Sequence, residues 1–334
     1  KMSDPRRLSD TSMMVAGQGG DGSLTVMSIL AELFGRRGYH LYQSRNVASR
    51  IKGGIAAAQM RASLVSRGCI GDALDLVVAF DQDAVTSVAS RVAPDGYVVF
   101  DSSDNPLDRT GLPATVQVIE IPFGRFSVRD LRRDLFKNSM SFGVVSRLMN
   151  VDSAEAETCL RHELRRLSER LLKPNIDSFL EGRKFADGTL GDAEGFPWQL
   201  ERARRDKQLM IIGNHALAFG FMAAGGRFFT GYPITPASEI LEWLQRNLPD
   251  FGGIAMQAED ELAAINIALG AAMTGTRTMT ATSSPGFSLM LEGISHAGSA
   301  EIPLVIVNSQ RAGPSTGMPT KPEQSDLDMI LYGG

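Results

Sequence analysis

Short apolar runs recur along the chain. Most close on a glycine or a polar cluster and lead into a stretch with helical spacing, which is the alternation of a mostly parallel sheet flanked by helices. The first run, Ser12 to Ala16, ends at Gly17-Gln-Gly-Gly-Asp-Gly22, and Leu24, Met27, Leu30, Ala31 and Phe34 then follow at helical intervals. Further strands are expected at His40 to Gln43, Ile55 to Ser63, Leu74 to Phe80, Tyr97 to Asp101 and Val116 to Ile121. Helices are expected at Gln82 to Ala93 and Asn138 to Leu148, with a charged amphipathic one at Ser153 to Leu172. From Lys173 to Arg205 the spacing breaks into Gly, Pro, Asp and Arg, which reads as a surface linker. Alternation resumes near Gln208, where Leu209 to Ile212 leads into Gly213 and a helix of small residues through Ala224, followed by Arg227 to Thr230, a helix to Leu248, Ile254 to Gln257, a helix opening at Glu261, Thr278 to Thr282, a helix to Ala297, and Pro303 to Asn308.

With 334 residues the chain exceeds the usual single-domain size, so the pattern resolves into an α/β domain over 1–172, a linker over 173–206 and a second, parallel-sheet domain over 207–334. The second stops at Leu331-Tyr-Gly-Gly334 with no closing strand and helix, and so reads as incomplete. A formal charge of −4 with mixed signs leaves no basic field for nucleic acid, and no apolar run approaches the roughly 20 residues of a membrane span. Two cysteines, Cys69 and Cys159, are too few for a disulfide scaffold, a zinc site or an iron–sulfur cluster, and the cytoplasm is the expected compartment. The four histidines show no metal spacing.

Three polar clusters interrupt the second domain: Gly231-Tyr-Pro-Ile-Thr-Pro-Ala-Ser238, Glu259-Asp-Glu-Leu-Ala-Ala264 and Gln310-Arg-Ala-Gly-Pro-Ser-Thr-Gly317. Each has a local reading and a chemical one. Acids at a helix start complement the helix dipole. A glutamate followed by Leu262, Ala263, Ala264, Ile265, Ala268 and Leu269, with Gly270 nine positions on, also suits a carboxyl held in an apolar pocket against an aminopyrimidine ring. Thr235 before Pro236 is an ordinary helix start, and equally a hydroxyl beside free N–H groups where a carboxylate binds. Arg311 follows a strand at its C-terminal end, where parallel sheets place ligands and where a guanidinium pairs with a carboxylate in bidentate fashion; the alternative is an ordinary surface arginine.

These clusters, with Thr280-Ala-Thr-Ser-Ser-Pro-Gly-Phe-Ser-Leu-Met290, resemble the pyrimidine-binding domain of 2-oxoacid:ferredoxin oxidoreductases. Gly17 to Gly22, together with Ser49-Arg-Ile-Lys-Gly-Gly54, is similar to that family's Rossmann-like gamma domain. The order gamma then alpha resembles the fused alpha subunits of 2-oxoglutarate and broad-range 2-oxoacid enzymes. The resemblance implies decarboxylation of a 2-oxoacid, 2-oxoglutarate favoured, on thiamin diphosphate, with coenzyme A taking the acyl group and electrons passing through iron–sulfur clusters to ferredoxin. It implies that Glu261 activates the aminopyrimidine with Ser284, Pro285 and Gly286 nearby, and that Thr235 and Arg311, with Tyr232, Ser315 and Thr316, bind the substrate. It also implies a beta subunit holding the diphosphate, Mg²⁺ and a [4Fe–4S] cluster, and a dimer of alpha–beta units. Gly17, Gly19, Gly20, Gly22, Arg45, Arg50 and Lys52 are candidates for a coenzyme A phosphate site, or for a structural turn and a solvated basic face.

The rival reading is an NAD(P)-binding dehydrogenase or regulatory subunit built on the glycine-rich turn. Such a site needs an acid at the end of the next strand, about 20 residues on, to hold the ribose. His40-Leu-Tyr-Gln-Ser-Arg45 has none, although Ser44 and Arg45 leave NADP open. A subunit whose site has decayed is disfavoured by the three intact clusters.

Overall fold

In the computed structural model the apolar run before the first glycine turn lies inside a six-stranded sheet, because alternate residues of the strands beside it bury on opposite faces. The structure describes residues 5–18, 22–46, 55–123, 133–190, 197–203, 209–311, 324 and 326–333. They fall into two units, Lys1–Gln208 and Leu209–Gly334. The first contains β1 (Arg6–Leu8), β2 (Asp10–Gln18), α1 (Ser23–Arg36), β3 (His40–Asn46), β4 (Ile55–Ser63), β5 (Leu74–Ala79), α2 (Gln82–Val88), β6 (Val92–Asp101) and β7 (Gln117–Ile121), followed by α3 (Arg133–Leu148), α4 (Ser153–Glu163), α5 (Glu169–Leu190) and β8 (Trp198–Leu200).

Strand order is β3-β4-β2-β5-β6-β7. In β5, Leu76 and Val78 pack with Leu30, Leu33 and Phe34 of α1 and with Phe142 and Phe179, whereas Val77 and Ala79 pack with Ala84, Val85 and Val88 of α2. A strand covered on both faces has to be apolar at nearly every position, as this one is. The sheet is mixed, since β4 runs antiparallel to both β2 and β3. This bears on the dinucleotide reading: the strand after the glycine turn pairs with β4 and is separated from β2 by it, so the parallel βαβ unit that brings a ribose-binding acid beside the glycines does not form there.

The segment expected as linker, 173–206, contains most of α5 and all of β8. Gly182, which resembles a helix breaker in sequence, is what lets α5 lie close to α3. A Cβ on Gly182 would stand 2.2 Å from the Met140 carbonyl oxygen, and one on Gly143 would stand 2.2 Å from that of Phe179. Leu172, Ile176, Phe179 and Ala186 bury along the same face of α5. The helix expected over Ser153 to Leu172 divides instead, with α4 ending at Glu163 and a second helix starting after Ser168, whose carbonyl accepts from the Leu171 and Leu172 N–H groups. Gly182→Ala should therefore lower unfolding free energy by ~1–3 kcal/mol. Gly188→Ala in the same helix, with open space around its Cβ, should gain up to about 1 kcal/mol. Denaturant melts of the two variants check the contrast, and equal effects would refute the close-packing account.

The second unit contains α6 (Gly213–Ala223), β9 (Phe228–Gly231), α7 (Ser238–Asn247), β10 (Ile254–Gln257), α8 (Glu261–Met273), β11 (Thr278–Thr282), α9 (Ser284–Leu289), α10 (Leu291–Ser299), β12 (Val305–Asn308) and α11 (Leu327–Tyr332). The one helix expected between the Ser283 turn and Ala297 is thus two, meeting at Met290. All pairings in the β10-β9-β11-β12 sheet are parallel. One face packs against Ala218 and Met222 of α6 and Ile240, Leu241 and Leu244 of α7; Ile265 and Leu269 of α8 form a separate cluster with Met290, Ile294 and Ile306. From β9 the chain steps outward to β10, then crosses back so that β11 and β12 lie on the other side. Strand order therefore reverses between β9 and β11, and in open α/β sheets ligands bind outside the carboxyl ends at such a reversal. Among the described residues no helix is long and apolar enough to cross a membrane.

Candidate functional site

Because every strand of the second sheet runs the same way, the segments after β9, β10, β11 and β12 leave from one edge. Those segments carry Tyr232 and Thr235, Glu261, Ser283 to Gly286, and Gln310 with Arg311 respectively. The ends are stitched together by hydrogen bonds. The Ala258 N–H donates to the Gly231 carbonyl at 3.0 Å, the Ser309 N–H to that of Thr282 at 2.9 Å, and the Ser283 hydroxyl to that of Ser309 at 2.7 Å.

Glu261 is the first residue of α8. Helix capping is done by its neighbour: the Asp260 carboxylate accepts from the Ala263 N–H at 2.6 Å, and both Glu259 and Asp260 are exposed. Glu261 turns inward and is only 6% exposed. Among the described residues its carboxylate makes no hydrogen bond or ion pair. Beside it lies Gly286 of α9, where a Cβ would come within 2.0 Å of Thr282 Oγ1 and 2.6 Å of Glu261 Oε1. Only glycine fits while the acid keeps this position. Gly270, by contrast, is exposed with open space around it, and packing within the chain gives no reason for it.

Arg311 is also 6% exposed. Its Nη1 donates to the Thr235 carbonyl at 3.1 Å, and its own carbonyl lies 3.3 Å from the Ser284 hydroxyl oxygen. One guanidinium thus joins the β9 and β12 loops, with the Thr235–Pro236 peptide in the cis form. Tyr232 is 39% exposed on the same loop. Ser315 and Thr316 lie outside the described residues. The structure therefore gathers Thr235, Glu261, Ser284, Gly286 and Arg311 at one sheet edge. A buried carboxylate suited to a ring nitrogen and a buried guanidinium suited to a carboxylate are the two groups a bound cofactor and an acidic substrate would require.

Sequence reasoning missed Asp326, just before α11, which accepts from Ser284, Asn308 and Gln310. Burial pushes its carboxyl pKa up, but the three hydrogen bonds outweigh this and hold it below the ordinary carboxylate range. Its signal was an acid opening a helix, which the helix dipole alone explains. In the first unit Gly17 ends β2 with Gln18, and Gly22 caps α1 in the left-handed region, φ 77°, against Asn138. Arg45 is exposed on β3, in register with Ala58 of β4 and through it with Val15, so it stands two strands, roughly 10 Å, from β2. Gly19, Gly20, Arg50 and Lys52 lie outside the described residues. At the end of β6, Asp101 pairs with Lys137 at 3.0 Å, an ion pair the pattern did not announce.

Two family models match. Residues 12–185 fit pyruvate ferredoxin/flavodoxin oxidoreductase, and residues 220–332 fit its thiamine diphosphate-binding part. The 2-oxoglutarate synthase subunit KorA of Archaeoglobus fulgidus is 53% identical over 124 residues, 37% of this chain and 36% of that protein. The 2-oxoglutarate oxidoreductase subunit KorA of Mycobacterium tuberculosis is 30% identical over 368 residues, 99% of this chain and 55% of that one. Among solved structures, 2-oxoglutarate:ferredoxin oxidoreductase from Magnetococcus marinus, with 2-oxoglutarate, coenzyme A and succinyl-CoA bound, superposes with a TM-score of 0.85 at 33% identity, covering 98% of this chain and 56% of its own. The chain thus spans at most a little over half the length of these relatives.

Proposed function

Since the chain belongs to the 2-oxoacid:ferredoxin oxidoreductase family, we propose that it carries a gamma domain ahead of a thiamin-binding domain and supplies the pyrimidine half of the active site in an enzyme converting a 2-oxoacid to its acyl-CoA. The observation that carries this reading is Glu261, a buried carboxylate without a protein partner among the described residues, packed against a glycine at the switch point of a parallel sheet. These residues fit thiamin diphosphate. When bound, that cofactor supplies a carbon nucleophile for the keto carbon and a sink for the electron pair left as carbon dioxide departs. Glu261 would hold N1′ of the aminopyrimidine and move a proton at that atom. Gly286 would keep the space beside the carboxylate clear, with Ser284 and Pro285 fixing the turn. Arg311 and Thr235 would orient the substrate carboxylate, and Tyr232, Ser315 and Thr316 would also bind the substrate.

2-Oxoglutarate is the favoured substrate, a choice supported by the names of the KorA relatives and by the ligands of the Magnetococcus enzyme. The diphosphate, Mg²⁺ and a [4Fe–4S] cluster belong in this reading to a beta subunit; the 334 residues here hold two cysteines, where a cluster ordinarily takes four thiolates. Alpha–beta units pair as a dimer, ferredoxin takes the electrons, and the enzyme works in the cytoplasm. Coenzyme A phosphates would meet Gly17, Gly19, Gly20 and Gly22 with Arg50 and Lys52, and Arg45, two strands from β2, would meet a different part of that ligand.

The test is viologen reduction by the assembled enzyme across 2-oxoglutarate, pyruvate, branched-chain and aryl 2-oxoacids, with and without coenzyme A. The highest kcat/KM is expected for 2-oxoglutarate, with strict dependence on coenzyme A. No coenzyme A-dependent reduction with any of these acids would overturn the activity, and a higher kcat/KM for pyruvate would overturn the substrate.

A further inference from the structure

Asp326 is 6% exposed, and three donors from two other segments converge on it. Its Oδ2 accepts from the Ser284 hydroxyl at 2.5 Å and from Asn308 Nδ2, and its Oδ1 accepts from Gln310 Nε2 at 3.0 Å. Ser284 opens α9, Asn308 ends β12, and Gln310 precedes Arg311. The single Ser284 hydroxyl hydrogen is taken by its short bond to Asp326, so the carboxylate is linked to Arg311 through Gln310, the residue that precedes it. All three donors are neutral. A buried anion satisfied only by neutral donors gains from charge-assisted bonds, and it fixes its partners more firmly than an amide could. An asparagine there would replace one acceptor oxygen by an NH₂ group facing groups that themselves donate.

We propose that Asp326 is a positioning residue: it sets the place of Arg311, and with it the carboxylate-binding end of the site, by tying the start of α9 to the strand-end turn after β12. This rests on the reading of Arg311 as the anchor of the 2-oxoacid carboxylate. It gives the cluster a job other than seating α11, because the donors come from the two segments that carry candidate site residues.

The experiment uses the enzyme assembled with its partner subunit and compares Asp326→Asn, Arg311→Lys and the double variant, reading KM and kcat for 2-oxoglutarate alongside the thermal midpoint. Asp326→Asn should raise KM on the order of tenfold while kcat changes far less, and its effect on KM should largely vanish in the Arg311→Lys background. An unchanged KM would overturn the proposal, as would a tenfold effect that persists undiminished beside Arg311→Lys. If Arg311→Lys alone leaves KM unmoved, the reading of Arg311 fails first, and that outcome is distinct from a failure of Asp326. Should Asp326→Asn not assemble, Gln310→Leu removes the donor that ties the carboxylate to the residue before Arg311, and is judged by the same KM shift and the same coupling.

Discussion

Glu261→Gln should lower turnover roughly a hundred- to ten-thousandfold while the chain folds and assembles as before. The substitution keeps the shape that packs against Gly286 and Thr282 and removes only the ability to carry a proton. It also separates the two readings that the first turn of α8 leaves open in sequence. If Glu261 served the helix dipole, its loss would cost about 0.3–1 kcal/mol of stability and leave activity nearly intact. That duty is already met nearby, since Asp260 caps the helix and Glu259 stays exposed at its start. Replacing a carboxylate that pairs with none of the described residues by an amide of the same shape should leave stability nearly unchanged. The signature is therefore activity lost without a fall in thermal midpoint, measured by viologen reduction and unfolding on the same preparation. Activity within tenfold of the parent would remove Glu261 from the mechanism.

Much of this arrangement was legible because it follows from period and position. Thr278 to Thr282 and Ile254 to Gln257 have the boundaries the apolar pattern implies, and parallel strands joined by helices must put their polar sequels on one edge. The convergence of Thr235, Glu261 and Arg311 is a consequence of that rule. What the pattern could not supply was anything depending on close approach or on hydrogen bonds between distant segments. Gly182 reads as a breaker until Met140 is seen lying against it. Antiparallel β4 looks in sequence like any other strand, because its nine residues are buried nearly throughout on both faces. Asp326 is separated from Ser284 by 42 positions, and no local spacing announces that the two touch. Asp260 and Glu261 are adjacent acids whose roles diverge only because the helix start turns one outward and the other toward Gly286.

The second large effect concerns Arg311, where Arg311→Lys should reduce kcat/KM for 2-oxoglutarate by ~1.5–3 kcal/mol, roughly ten- to 150-fold. Lysine keeps the charge but loses the planar fork that matches a carboxylate and the Nη1 bond to the Thr235 carbonyl that sets the group's orientation. The size of the loss across substrates identifies which carboxylate is held. Pyruvate and 2-oxoglutarate share the carboxylate next to the keto group, and only 2-oxoglutarate has a second. A group that orients the shared carboxylate must penalise both acids by the same factor, and equal losses are expected here. A group holding the distal carboxylate would penalise 2-oxoglutarate alone, turning the variant into a relatively better pyruvate enzyme. No loss with either acid would return Arg311 to a purely structural role, a buried brace between the loops after β9 and β12. In that case Arg311→Lys should lower the thermal midpoint while kcat/KM stays within a factor of two or so of the parent.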